Sequence, residues 1–193
     1  NTKGKSVKIC LSAHRYNFDR IFKIVKCLIE NEKLKIRKLG IQRIIPQGRI
    51  LNSLEYSLNK NQVNFIFKQL YKIKTKYKLK IEIKDPFPLC IVNKKYRHLQ
   101  TNSCRDGIDI GSINFNGDMS RCGADSRFLL GNIFEIGNLQ QFWNTNPILV
   151  DFRSRKWLPQ KCQNCKLLER CGGGCPLSRC TNKDHDWDIL FSS

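Results

Sequence analysis

Cys162-Gln163-Asn164-Cys165-Lys166-Leu167-Leu168-Glu169-Arg170-Cys171-Gly172-Gly173-Gly174-Cys175-Pro176, with Cys180 closing the run, is the stretch on which the reading of this chain turns. It places five of the ten cysteines within 19 residues. Thiolates are soft ligands that suit zinc or iron–sulfur clusters. Short spacers let neighbouring thiolates grip one centre at little loop-closure cost. The glycine run keeps side chains away from that centre and permits unusual backbone angles. It also exposes amide N–H groups that can hydrogen-bond to sulfur. Spacing alone leaves zinc and iron–sulfur both open.

Two more cysteines lie upstream, Cys104 and Cys122. Between them, residues 108–115, Asn116-Gly117 and residues 118–122 read as a hairpin, the Asn-Gly pair supplying a type I′ turn. The hairpin would carry Cys122 back toward Cys104. Leu139, Phe142 and Trp143 mark a short helix, and Asn146-Pro147 suits the start of another. The segment from Cys162 to Cys180 reads mostly as loop. Seven cysteines fit two four-ligand centres with one ligand short. A secreted disulfide domain is the competing reading. The start, Asn1-Thr2-Lys3-Gly4-Lys5, has no apolar segment of a signal peptide, and the first half is a large periodic apolar region, so metal is the better account.

That first half reads as α/β. Residues 7–11 alternate as a strand. Phe18, Ile21, Phe22, Val25, Leu28 and Ile29 recur on one face of a helix of about four turns, with Asn17 placed as its N-cap. Residues 39–45 form a second strand, stopped by Pro46-Gln47-Gly48. A second helix covers about 61–77, and residues 79–83 form a third strand. Strand, helix, strand, helix, strand implies a parallel sheet with an open edge. Cys10 and Cys27 read as packing residues, and His14, His98 and His185 have no ligand spacing. Arg43 and Arg49 flank the turn at a strand's C-terminal end, where parallel folds place ligands; the alternative for both is a solvated charge.

The 193 residues carry 35 Lys and Arg against 16 Asp and Glu, a net charge of +19. Residues 1–100 hold +18 of it and residues 101–193 only +1. No nucleic-acid motif accompanies that charge, and most lysines fall at solvent-side spacings, which argues against nucleic acid as the partner. No apolar run approaches the roughly 18–20 residues that cross a bilayer, which argues against a membrane.

The pattern Cys104-x12-Gly117-x4-Cys122, a gap, Cys162-x2-Cys165-x5-Cys171-x3-Cys175, then Cys180 resembles the SPASM domain, the C-terminal extension of many radical S-adenosylmethionine enzymes. Leu130-Gly131-Asn132-Ile133, Trp143 and the Gly172–Gly174 run belong to the likeness. Residues 7–17, the first helix and residues 39–49 resemble the last strands of the radical SAM partial barrel. The resemblance implies an α/β fold with three parts: the C-terminal portion of the barrel over 1–85, a bridge over 86–103, and a SPASM iron–sulfur domain with a β-hairpin over 104–193. It implies that Cys104, Cys122 and Cys175 hold a first auxiliary [4Fe-4S] cluster and that Cys162, Cys165, Cys171 and Cys180 hold a second, so one or two clusters in all. In several relatives a further cysteine soon after the first completes the first cluster. Here Gly107, Asp109 and Ile110 occupy that neighbourhood, leaving the iron open, bound by substrate or reached by Cys90. Cys180 follows Cys175 closely for this family, and Asp184, Asp186 or Asp188 could serve in its place.

The Cys-x3-Cys-x2-Cys loop that binds the catalytic cluster in radical SAM enzymes is absent from this sequence. S-adenosylmethionine is therefore expected only in the complete enzyme, whose N-terminal half lies in the same or a separate chain. Relatives of this type are maturases that modify peptides or proteins, so the expected substrate is a peptide or protein, and Arg43 and Arg49 could meet it or S-adenosylmethionine. Iron–sulfur thiolates imply a reducing cytoplasm. The alternative is a non-catalytic binding module stabilised by zinc or a cluster, using its basic half to hold an acidic partner.

Overall fold

The computed structural model describes residues 6–45, 54–125, 128–178 and 190. Arg49, Cys180, Asp184, His185, Asp186 and Asp188 lie outside the described residues. Two compact units emerge, one from the described parts of Asn1–Ser103 with Glu169–Ser193, the other spanning Cys104–Leu168.

The first unit is built on a parallel sheet in the order β1 (Val7–Ala13), β2 (Ile36–Arg43), β3 (Lys80–Ile83). Register pairs Ile9 with Leu39 and Leu11 with Ile41, and Leu39 with Ile81. Alternation then sorts the faces. Ala13, Leu39 and Ile41 are buried, together with Ile21 and Val25 of α1 (Ile21–Lys26) and Val63, Ile66, Phe67, Leu70 and Ile73 of α2 (Lys60–Tyr77). α2 begins on a full capping box: Asn59 accepts the Gln62 N–H and the Gln62 side chain accepts the Asn59 N–H, both at 2.9 Å. Gln69, buried in α2, accepts the Phe22 N–H at 2.9 Å and donates to the Phe18 carbonyl, binding the start of α1 to α2.

The first helix differs from its expected form. Its N-cap is Arg20, and after six α-helical residues it widens into a π-helix over Cys27–Asn31. Asn17 serves the preceding turn instead, accepting the His14 N–H at 2.9 Å and donating to the Ser12 carbonyl at 2.9 Å. Cys10 and Cys27, read as packing residues, are both exposed thiols.

Lys8, Lys38 and Lys84 gather around Glu82 with N···O distances of 3.1, 2.5 and 2.6 Å. Hydrogen bonds from Lys38 and Lys84 hold the carboxyl at about 2, well below its ordinary value. A depressed acid stabilises the fold above its unfolded pKa and loses that contribution as pH falls through the folded value. Because Glu82 is partly open to solvent, the contribution is about 1 kcal/mol. Glu82→Gln is expected to cost that amount at pH 7, with the difference vanishing near pH 2 in denaturant titrations.

The second unit is an antiparallel meander of β4 (Ser112–Ile113), β5 (Asp118–Ser120) and β6 (Leu129–Asn132). The expected hairpin is present but shorter, and β6 was not foreseen. The turn is not type I′, since Asn116 keeps negative φ and only Gly117 is positive, at +86°. Gly117 N–H bonds the Asn114 carbonyl and Asn114 N–H bonds the Asp118 carbonyl, both at 3.0 Å. This is a three-residue loop ending in a glycine bulge. Met119, Leu130 and Leu149 form a core with Ile133, Ile136, Phe142, Trp143 and Ile148 packed against it. The last three come from α3 (Leu139–Thr145) and α4 (Pro147–Ser154). Asn146 caps α4 through the Ile148 N–H at 3.1 Å and donates to the Leu130 carbonyl at 3.2 Å, joining helix to sheet.

Beyond them the chain forms α5 (Gln160–Gln163), α6 (Leu168–Cys171) and a 3-10 turn over Pro176–Ser178, so the cysteine-rich stretch holds more helix than expected. Among the described residues no helix is long and apolar enough to cross a membrane.

Candidate metal centre

In the second unit the half-buried Cys104 and Cys122 share a neighbour, Asp106. Cys104 Sγ lies 3.7 Å from Asp106 Oδ2. Burial, with the Asp106 carboxylate adding to it, pushes the Cys122 thiol up to about 11. The segment bearing Cys122 is fixed from both sides. Arg121 and Asp125 form a buried ion pair at 2.7 Å, and the Arg121 guanidinium lies 4.2 Å from the Phe152 ring centroid. The Cys122 carbonyl accepts the Asp125 N–H at 2.9 Å and the Ser120 hydroxyl at 3.1 Å.

Cys162 and Cys165 sit on and just after α5. The Cys165 N–H bonds the Cys162 carbonyl at 3.0 Å, and Cys165 Sγ accepts the Leu167 N–H at 3.4 Å.

In the first unit Cys171 and Cys175 are both buried. Cys171 Sγ accepts the Leu89 N–H at 3.2 Å. Gly172, Gly173 and Gly174 take φ of +58°, +78° and +91°, a left-handed run that L side chains rarely enter. The Cys175 carbonyl accepts both the N–H and the hydroxyl of Ser178, at 3.1 and 2.7 Å. Arg43 donates to that Ser178 hydroxyl at 2.6 Å and to the Pro86 carbonyl at 3.1 Å, and lies 5.1 Å from the Phe87 ring centroid. At 4% exposed, Arg43 is no solvated charge. Cys90 is exposed, and its carbonyl accepts Arg97 at 3.4 Å.

Among the described residues no three His, Cys, Asp or Glu side chains gather as a single metal-ion site. The donor chemistry nevertheless fits iron–sulfur clusters. Two of the candidate sulfurs, on Cys165 and Cys171, each accept a backbone N–H. Such bonds stabilise a thiolate and tune the iron it binds.

Residues 104–166 match the family model of the SPASM domain, described as an iron-sulfur cluster-binding domain. The chain carries a SPASM domain. A segment of 37 residues is 40% identical to a PqqA peptide cyclase of Gluconobacter oxydans (strain 621H), covering 19% of this chain and 10% of that protein. Streptococcus suis SuiB, solved bound to S-adenosylmethionine and also to its precursor peptide SuiA, aligns over 95% of this chain and 44% of its own, with TM-score 0.64 and 19% identity. Native anSMEcpe with bound AdoMet and Cp18Cys peptide aligns over 96% and 53%, with TM-score 0.57 and 17% identity. This chain therefore spans about half the length of the solved structures it matches. The fold is the expected one: α/β, with strands and helices of a partial barrel leading into the SPASM domain.

Proposed function

We propose that this chain is the iron–sulfur C-terminal part of a radical SAM/SPASM maturase acting on a peptide or protein in a reducing cytoplasm. The observation that carries the reading is the pair of backbone amides donated to Cys165 and Cys171, two sulfurs of the SPASM pattern. In this reading Cys104, Cys122 and Cys175 bind the first auxiliary [4Fe-4S] cluster, and Cys162, Cys165, Cys171 and Cys180 bind the second. When bound, the clusters supply an electron acceptor for a substrate-derived species or an iron site for substrate. The chain's own residues set the environment. Leu89 and Leu167 amides spread thiolate charge, and the Arg121–Asp125 pair holds the Cys122 loop. S-adenosylmethionine is bound by the N-terminal half of the complete enzyme. SuiB, which binds a precursor peptide, supports a peptide as substrate.

Anaerobic reconstitution with ferrous iron and sulfide tests this reading. The expected content is about eight iron and eight sulfide per chain, two four-iron clusters. Cys122→Ala is expected to reduce both toward about four. Zinc without sulfide would overturn the proposal and leave a structural zinc module.

A further inference from the structure

We propose that the cleft between β6 and α3 of the second unit is a docking site for an arginine side chain of a peptide. The inference deepens the maturase reading, on which it rests for the peptide, by naming a side chain that the substrate presents to this unit.

The cleft holds about 410 Å³ and opens to solvent. That volume lies within the range of sites that take small ligands. All of its wall belongs to one unit. Ile136 and Phe142 line it, and both pack against the core of Met119, Leu130 and Leu149, so the apolar floor is set before any ligand arrives. Gly131 lets the Phe142 ring come close: a β-carbon there would sit 3.2 Å from Phe142 Cζ. Gly137, also in the wall, faces open space, since a β-carbon there would meet nothing within 4 Å.

The polar groups of the wall fall into two sets. One is committed to the fold. Asn132 donates to the Asn116 carbonyl and the Asp118 carboxylate at 3.0 Å each and accepts the Phe134 N–H at 3.1 Å. Asn138 caps α3 by accepting the Gln141 N–H at 2.9 Å, and the Thr145 hydroxyl donates to the Gln141 carbonyl at 2.9 Å. The other set is open. Among the described residues the Glu135 carboxylate has no ion-pair partner and the Gln141 side-chain amide has no protein partner. No Lys or Arg lines the cleft, so its one formal charge is negative, in a chain of net +19. A guanidinium matches this set. It carries five N–H donors and no acceptor, meets a carboxylate as a fork, covers apolar surface with its stem and is drawn to an aromatic face. Glu135 supplies the carboxylate, Gln141 a carbonyl oxygen, and Ile136 and Phe142 the apolar floor. The rim points to a peptide as the bearer. Phe134, beside Glu135 in sequence, is 84% exposed, and Phe115 on the β4–β5 turn is 96% exposed. Phe134 lies against that turn, because a β-carbon at Gly117 would meet its ring at 2.6 Å. Two large apolar side chains left in water next to a cleft mark a surface that a partner covers. A free amino acid would leave them bare, whereas a peptide continues onto them.

The test uses the full 193-residue chain, reconstituted anaerobically with ferrous iron and sulfide. Its probe is the acetylated, amidated peptide Gly-Leu-Arg-Leu-Gly, titrated by calorimetry. The control peptide carries citrulline, the uncharged isostere, in place of arginine. Wild type is expected to bind the arginine peptide roughly 10- to 100-fold more tightly than the control, the weight of a hydrogen bond to a charged group. Glu135→Gln is expected to erase that preference. Gly137→Trp fills the open space and is expected to abolish binding, with circular dichroism unchanged. Phe134→Ser is expected to weaken the peptide several-fold while leaving the affinity for Nα-acetylargininamide as it was. Equal affinity of wild type for the two peptides would overturn the proposal, and so would a preference that survives Glu135→Gln. Unaltered peptide affinity in Phe134→Ser would overturn the peptide as occupant and leave a site for a free guanidinium. A wild-type chain that takes up neither iron nor sulfide refutes the maturase reading itself, a result distinct from these.

Discussion

Asp125→Ala is expected to destabilise the SPASM unit by about 3–5 kcal/mol, the cost of leaving a buried charge without its partner. Arg121 and Asp125 are 4% and 2% exposed and their charged atoms meet at 2.7 Å. Removing the carboxylate strands a guanidinium that has already left water. The Phe152 face 4.2 Å from the guanidinium offsets only a part, on the order of 1 kcal/mol. Replacing both members, as in Arg121→Met with Asp125→Ala, removes the stranded charge and is expected to recover most of the loss. Trp143 and Trp157 lie in this unit, so the loss can be followed by their fluorescence in denaturant. A loss below about 1 kcal/mol in the single variant would show the pair to be solvated rather than buried.

Phe67→Ala is expected to cost the first unit about 3–5 kcal/mol. Phe67 is fully buried on α2 and meets Phe87 edge-to-face with centroids 5.4 Å apart. Truncation removes the transfer free energy of the ring, opens a cavity and breaks the aromatic pair. Phe67→Leu, which refills most of the volume, should lose much less. Circular dichroism at the helical band reads this unit, because α2 is the longest of the described helices. Equal losses for Ala and Leu would mean that shape at this site matters more than volume.

Long periodic segments carried most of the fold in plain view. α2 was legible because its apolar residues recur at helical spacing for 18 residues, and the observed bounds fall within a residue or so of those expected. The parallel order followed from alternation between strands and helices. Short elements were harder. β6 has four residues and a glycine, too few to show alternation. Asn17 looks like an N-cap in sequence, yet its short polar side chain closes the turn after β1 instead, a competition that only the backbone path decides. The candidate thiols were legible because soft-metal chemistry calls for cysteine at fixed spacing. What surrounds them was not. Arg43 is buried by partners 43 and 135 residues away in the chain. The Leu89 amide that reaches Cys171 comes from 82 residues away, and an amide carries no side-chain signature at all.

The left-handed run at Gly172–Gly174 has a genetic consequence. A β-carbon at Gly172 would sit 2.7 Å from the Ser103 β-carbon, and all three residues hold φ values that L side chains avoid. Glycine codons have no conservative neighbours: every non-silent single-base change in them adds a side chain or a stop. This stretch of the gene therefore has no mild missense alleles, in contrast to the lysine codons for the exposed face of α2. Random mutagenesis scored by iron content should show it as a sharp trough of tolerance beside the cysteines.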